Sequence, residues 1–372
     1  MLVGIPKEIK NHEYRVGMTP TSVREIIKHG HQVVVETKAG VGIGVADSDY
    51  STAGATILDS AAEIFAKADM IIKVKEPQAV ERAMLREGQI LYTYLHLAPD
   101  PAQTKDLVES GATCVAYETV TSAYGGLPLL APMSKVAGRM SIQAGAYCLE
   151  QPHGGLGMLL GGVPGVDPAK VVVLGAGVVG THACHIAVGM GADVWVLDNN
   201  PISIEKHWQQ FGRSTNSVFS TVDALEQHVV SADLVIGGVL IPGAEAPKLV
   251  SAAMVRDMKP GSVIVDVAID QGGCCETSRA TTHADPTYVV DDVVHYCVAN
   301  MPGGVPRTST YALNNVTLPF AIALANKGAK QAMLDDLHLR NGLNVHAGKI
   351  TCREVAEDLG YEYVEAGAAL QG

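Results

Sequence analysis

Aromatic side chains supply only 5% of this 372-residue chain, and charged side chains only 18%. Positive charge is the scarcer sign. Lys and Arg number 27 against 39 Asp and Glu, a formal net charge of −12, and no basic cluster interrupts that balance. Such a chain is soluble and presents no surface for nucleic acid or an anionic membrane. The seven cysteines (Cys114, Cys148, Cys184, Cys274, Cys275, Cys297 and Cys352) contain no CxxC pair. That pattern argues against a disulfide framework and fits free thiols in a reducing cytoplasm. Cys274, Cys275, His283, His295 and Cys297 match no zinc-ligand spacing, so no metal is expected and these residues read as structural. The N-terminal MLVGIPKEIK lacks the apolar core and cleavage site of a signal peptide, and the mature chain is expected to start there. The apolar stretch from Val171 to Asp198 is interrupted by His182, His185 and several glycines, which excludes a spanning helix. Neither a repeat of solenoid period nor a low-complexity segment is present.

Hydrophobic residues (47%) and 39 glycines dominate what remains. Together with recurring strand and helix patterns they predict an α/β protein of two domains with many tight turns. The runs MLVGI, HQVVVE, IIKVK, ILYTYLH and ATCVAYET read as strands, with helix-length segments between them such as Thr19 to Gly30. Right-handed βαβ crossovers and a mostly parallel sheet follow. From Ala131 to Gln151 the texture changes to a long helix rich in small residues. A second unit then presents VVVLG, ADVWVLD, ADLVIGGVL, GSVIVDVAID, YVVDDV and HYCVANM as strands. Thr308 to Gly328 reads as a second long helix. The tail from Ala329 is too short for its own core and is expected to pack on the first domain. The expected organisation is a discontinuous substrate domain, 1–130 plus 306–372, and a dinucleotide-binding domain, 131–305. The fold class is two doubly wound Rossmann-like domains with a cleft between them, joined by the long helices.

VVVLGAGVVGTHACHIA carries the strongest local signal. Gly175, Gly177 and Gly180 form GxGxxG directly after an apolar strand and open a helix, the arrangement in which a helix N-terminus receives a pyrophosphate. The next strand ends on Asp198, at about the 20-residue spacing of an acid that bonds the adenosine ribose. Its carboxylate would repel a 2′-phosphate, and Asn199, Asn200 and Pro201 offer no cation in compensation, so NAD is favoured over NADP. The alternative is a plain tight turn with Asp198 as a strand-end cap.

Four polar residues fall where apolar strands run out. Lys75 ends MIIKVK, His96 ends ILYTYLH, Asp270 ends VIVDVAID, and Arg15 follows the first strand. In doubly wound sheets ligands bind outside the carboxyl ends of the strands. Arg and Lys converging on one point make a carboxylate clamp. A histidine, with an ordinary pKa of about 6.5, moves protons near neutrality. Asn300, in NMP after HYCVA, stands at another such end. If the two domains face each other, Lys75, His96 and Asp270 surround the carbon that accepts hydride. Taken singly, each of these residues is equally an ordinary surface or strand-end group.

MLVGIPKEIKNHEYRVGMTP, KVKEP, YLHL, LLAPMSKVAGRM, GGVPGV, VLGAGVVG, VLDNN, APKLVS, DVAIDQGGCCETSR and YCVANMPGGVPRTSTYAL together resemble the alanine dehydrogenase family, in order and over nearly the whole chain. The general plan is shared with the NAD-binding subunit of proton-translocating transhydrogenase and with lysine-forming saccharopine dehydrogenases. The resemblance implies reversible NAD-dependent deamination of L-alanine to pyruvate and ammonia by a homohexamer. It implies Arg15 and Lys75 on the substrate carboxylate, His96 as acid and base, Asp270 as a second catalytic group, and Asp198 on the ribose. Ser134, Val178, Ser220, Val239, Leu240, Arg279, Asn300 and Met301 would line the cofactor. Ser203 stands where relatives often carry a basic residue, a departure on the adenosine side. Tyr94, Leu129 or Met133 as walls would leave room for little beyond a methyl group. The competing readings are a transhydrogenase NAD(H)-binding subunit and a non-catalytic NAD-binding protein.

Overall fold

The computed structural model describes residues 1–239 and 246–371. They form two compact units, one of Met1–Met133 with Val305–Gly372, the other of Ser134–Gly304. The first unit begins with strands β1 (Leu2–Ile5), β2 (Gln32–Glu36), β3 (Thr56–Leu58), β4 (Met70–Ile72), β5 (Ile90–Thr93) and β6 (Thr113–Ala116). The second holds β7 (Lys170–Leu174), β8 (Asp193–Asp198), β9 (Asn216–Phe219), β10 (Leu234–Gly237), β11 (Val263–Asp266), β12 (Thr287–Val290) and β13 (Val293–Tyr296). Strands β14 (Leu343–His346) and β15 (Lys349–Ile350) return to the first sheet, β14 antiparallel to β6. Among the described residues no helix is long and apolar enough to cross a membrane.

Both sheets are doubly wound, and their six parallel strands follow the same pattern. The first runs β15-β14-β6-β5-β4-β1-β2-β3, the second β12-β13-β11-β10-β7-β8-β9. All pairs from β6 to β3 and from β13 to β9 are parallel. Central strands such as β5, β10 and β11 are buried at every position. That is why they read as continuous, mostly apolar runs without alternation: helices cover both faces. Polar caps followed by proline start several of those helices. Thr19 accepts from the N–H of Ser22 ahead of Pro20, and Asp100 from that of Gln103 ahead of Pro101.

Several elements differ from the sequence expectation. Strands β3 and β9 are additions; both are short, and β9 (NSVF) is only partly buried, so neither shows a clear apolar period. The helix expected to reach Gln151 stops at Cys148, and that expected over Thr308–Gly328 spans Pro306–Asp335 with a break at Gly328, whose φ is 74°. Asp270 does not end a strand. β11 stops at Asp266, and Asp270 lies in the 3-10 turn Val267–Gln271. Likewise β4 stops at Ile72 and β5 at Thr93, so Lys75 and His96 stand in the irregular segments beyond them.

Lys73 follows directly on β4. Fully buried, its ammonium lies 3.0 Å from Glu8 and 2.7 Å from Glu81, themselves 2% and 1% exposed. Burial alone would pull the Lys73 pKa down, but Glu8 and Glu81 outweigh it and raise it. Burial dominates at Glu8 and pushes its carboxyl up, against the pull of Lys73 and with help from Glu13 and Glu81. The triad rivets the segment after β1 to the segment after β4.

Replacing Lys73 would strand two buried carboxylates, so Lys73→Met is expected to cost about 3–5 kcal/mol in denaturant unfolding. A lysine with a raised folded pKa contributes stability fully present below its ordinary 10.5 and lost as pH rises through the folded value. On the lysine's side, the gap between wild type and Lys73→Met should therefore hold at pH 7 and narrow in strong alkali; in acid, protonation of Glu8 and Glu81 should narrow it as well. A steric prediction concerns Gly180, where an added Cβ would sit 1.8 Å from the Gly175 carbonyl oxygen. Gly180→Ala should lower the melting temperature markedly with no ligand present.

Candidate active site

In the first unit β1, β4 and β5 are adjacent and parallel, so the segments carrying Arg15, Lys75 and His96 leave one edge of one sheet. Arg15 is 2% exposed. Its Nε donates to Glu13 Oε1 at 2.6 Å and its Nη2 to Oε2 at 2.5 Å, while Nη1 lies 3.1 Å from Met133 Sδ. Burial would lower its pKa, but the Glu13 hydrogen bonds and charge outweigh that and raise it. The guanidinium is therefore a fixed, permanently charged group beside an apolar wall. Lys75 lies 3.8 Å from Glu76, which also pairs with Lys10. Its N–H, with that of Val74, faces Glu8 Oε1 at 3.4 and 2.6 Å.

His96 has a φ of 50°, a left-handed conformation uncommon for a residue with a Cβ. Its N–H donates to Glu118 Oε1 at 2.6 Å, and the Leu95 N–H contacts both Glu118 oxygens. The imidazole is 42% exposed and stacks nearly parallel to the Tyr94 ring, centroids 5.8 Å apart. Tyr94 itself is buried, donates to the Leu129 carbonyl, and lies within electrostatic reach of Arg15. Burial pushes its phenol far up, so it remains a donor. The structure thus links His96, Tyr94 and Arg15 in one neighbourhood, with Leu129 and Met133 buried alongside.

In the second unit the glycine turn separates three roles. Gly175 has a φ of 98°, Gly180 packs on the Gly175 carbonyl, and Gly177 has no atom within 4 Å of an added Cβ. The helix Val178–Gly189 begins there, with Val178 43% exposed at its first position. Asp198 accepts from the Ala176 N–H through one oxygen and from the Asn200 N–H through the other, both at 2.7 Å. It is therefore a cap, as the alternative reading held, yet a carboxylate with four lone-pair positions keeps room for a ribose. The Ser220 N–H donates to the Asp198 carbonyl, and Val239 lies against the Gly175 turn. Ser203 sits in the helix Pro201–Phe211 that Asn200 caps. Ser134 lies one turn upstream of Gly138, which closely approaches Val179. Leu240 lies outside the described residues.

Asp270 and Arg279 follow β11, and Asn300 and Met301 follow β13, all on the edge where the glycine turn leaves β7. Asp270 is exposed. Its loop is tied by Asp266, fully buried, which accepts from the N–H groups of Ala268, Cys274 and Cys275 and the Ser278 hydroxyl. Asp266, Cys274 and Cys275 gather within 4.8 Å, but backbone and hydroxyl donors already occupy the carboxylate. The Arg279 guanidinium lies 4.0 Å over the Tyr288 ring. Asn300 is left-handed (φ 61°) and Met301 is buried. Glu8, Glu13, Glu118 and Asp266 escaped the sequence reading. Only Glu13, two positions from Arg15, carried a hint.

The chain matches the sequence family described as "Alanine dehydrogenase/PNT, N-terminal domain" over residues 4–137 and its C-terminal counterpart over 141–353. It is 59% identical over 370 residues to an alanine dehydrogenase of Halomonas elongata, covering 100% of both chains. It superimposes on a solved L-alanine dehydrogenase with a TM-score of 0.94 at 50% identity, over 97% of this chain and 99% of that one. A transhydrogenase structure from Sinorhizobium meliloti gives 0.83 at 27% identity, over 94% and 100%. With the edge chemistry of both sheets and these full-length likenesses together, the chain belongs to the alanine dehydrogenase/PNT family.

Proposed function

We propose that this protein is an NAD-dependent alanine dehydrogenase that interconverts L-alanine with pyruvate and ammonia. The observation that carries the reading is the grouping of Arg15, Lys75 and His96 beyond three neighbouring strands of one sheet. The second unit suits a dinucleotide. Its Gly177 leaves open space for a pyrophosphate at a helix N-terminus, and Asp198 stands at the end of β8 without a cation from Asn199 to Ser203, which favours NAD over NADP. Gly175, Gly177, Val178, Gly180, Asp198, Ser220 and Val239 hold the adenosine and phosphate half; Ser134, Arg279, Asn300 and Met301 hold the rest. Ser203 contributes at most a neutral contact.

Arg15 and Lys75 bind the substrate carboxylate. Met133, Leu129 and Tyr94 wall the neighbourhood and favour a side chain no larger than methyl. When bound, NAD takes up the hydride lost from the substrate Cα. His96 then accepts a proton from the water that adds to the imine, and returns it to nitrogen as the carbinolamine collapses to pyruvate and ammonia. Asp270 is the second polar catalytic group. The cytoplasmic homohexamer belongs to the same proposal, and light scattering should return the mass of six chains.

Mixing the protein with NAD and a panel of L-amino acids, while following reduced nicotinamide absorbance, should give turnover fastest with alanine. No reaction with alanine, but hydride exchange with a second nucleotide once a membrane partner is added, would instead indicate a transhydrogenase subunit, and binding without turnover a non-catalytic protein. Deamination should accelerate above neutrality, since hydride leaves from the free amine. His96→Ala should lower kcat by about 10²–10⁴-fold with NADH binding retained. Gly177→Ala should keep the wild-type melting temperature yet raise the Kd for NADH about tenfold or more. Equal affinity in that variant would contradict the assigned phosphate site.

A further inference from the structure

We infer that Glu118 is a positioning residue for His96, a role that rests on the reading of His96 as proton carrier. Glu118 lies in the 3-10 turn Tyr117–Thr119 after β6, the strand paired with β5. Its side chain is 15% exposed and turned toward the segment that follows β5. There the backbone has left the ladder, and two consecutive N–H groups, of Leu95 and His96, converge on Oε1 at 3.1 and 2.6 Å. Successive N–H groups at a left-handed bend form a concavity suited to an anion. Here the anion is internal. The same Oε1 lies 3.8 Å from His96 Nδ1, within ion-pair reach of an imidazole that gains a proton.

Other bonds fix the segment from the far side. Gln103 Nε2 donates to the Leu95 carbonyl at 2.6 Å and Thr104 Oγ1 to that of Leu97 at 3.0 Å. Those bonds hold carbonyls only. The two amides that flank Leu95, those of the Tyr94–Leu95 and Leu95–His96 bonds, depend on Glu118, and with them the left-handed φ that directs the imidazole. Without the carboxylate, water would solvate these amides and His96 would relax toward ordinary backbone conformations. The ring would then lose its fixed place over Tyr94.

The test measures kcat, KM and melting curves for Glu118→Ala, Glu118→Gln, His96→Ala and the double variant His96→Ala/Glu118→Ala. Because misplacing a catalytic group by about 1 Å can cost about 10²-fold, Glu118→Ala should lose about that factor in kcat. The KM for NAD should stay within twofold of wild type and the protein should remain folded at assay temperature. Glu118→Gln retains one oxygen for both amides and should recover most of the rate. The double variant should be no slower than His96→Ala, because the two residues act as one unit. A fully active Glu118→Ala beside an inactive His96→Ala would overturn the inference about Glu118 alone. So would an additive double variant, or activity lost in proportion to folded protein. A fully active His96→Ala would remove His96 from the chemistry and the basis of this role with it.

Discussion

Backbone amides beyond the carboxyl end of a parallel strand need new partners. Inside the ladder each N–H finds a neighbouring carbonyl; outside it, a partly buried N–H left unpaired costs about 1–3 kcal/mol. In this protein carboxylates meet that demand repeatedly. Glu8 accepts from Val74 and Lys75, Glu13 from Arg15, Glu118 from Leu95 and His96, Asp198 from Ala176 and Asn200, and Asp266 from Ala268, Cys274 and Cys275. A charged acceptor makes a stronger bond than a neutral one and has lone pairs for several donors. Each acid therefore stabilises a short piece of irregular chain that no helix or strand would hold.

Those irregular pieces carry the proposed chemistry, which gives the acids a second consequence. Lys75, Arg15, His96, Asp270 and the glycine turn each adjoin one of them. Burying acids is costly unless cations and donors compensate, and the Lys73 triad and the Glu13–Arg15 pair supply that compensation in the first unit. Exposed pairs elsewhere, such as Lys105–Glu109 at 66% and 64% exposure, contribute little by comparison. Stability and function are thus coupled at the sheet edges through the same few charges.

The sequence made some of this visible and hid the rest for physical reasons. Buried parallel strands announce themselves as Val and Ile runs, and GxGxxG with Asp198 announces a βαβ turn, because each depends on local residue type. Lys75 and His96 were legible as polar ends of apolar runs, yet their strands stop earlier than the hydrophobic pattern does. Tyr94, whose N–H still bonds the Val74 carbonyl, and Leu95 stay buried beyond the regular strand, so hydropathy continues past it. Glu8, Glu81 and Glu118 look like solvated acids until tertiary structure brings distant amides and Lys73 to them. The left-handed φ of His96 is only weakly signalled by residue type, since histidine is enriched in that region yet most often lies elsewhere. Strands β14 and β15 are equally silent: only the wish of a short tail for a core suggested where it packs.

Two sheets with the same order in their parallel core solve their switch points with opposite chemistry. Between β7 and β10 the chain leaves β7 through Gly175, so backbone N–H groups and a helix N-terminus come forward, and Gly177 keeps that approach clear. This is a device for a diffuse, doubly charged phosphate pair. Between β1 and β4 the chain leaves β1 through PKEIKNHEYR, with proline and charged residues in place of glycine, and the next helix waits until Pro20. No helix N-terminus opens directly there; the cations Arg15 and Lys75 stand there instead, beside Glu13 and Glu76, while Lys73 is buried between Glu8 and Glu81. In the proposed reading that guanidinium, held by Glu13, meets one small planar carboxylate and no pyrophosphate. The shared topology thus sets where each ligand would dock, and the residues just after the first strand of each sheet decide which kind of anion that position favours.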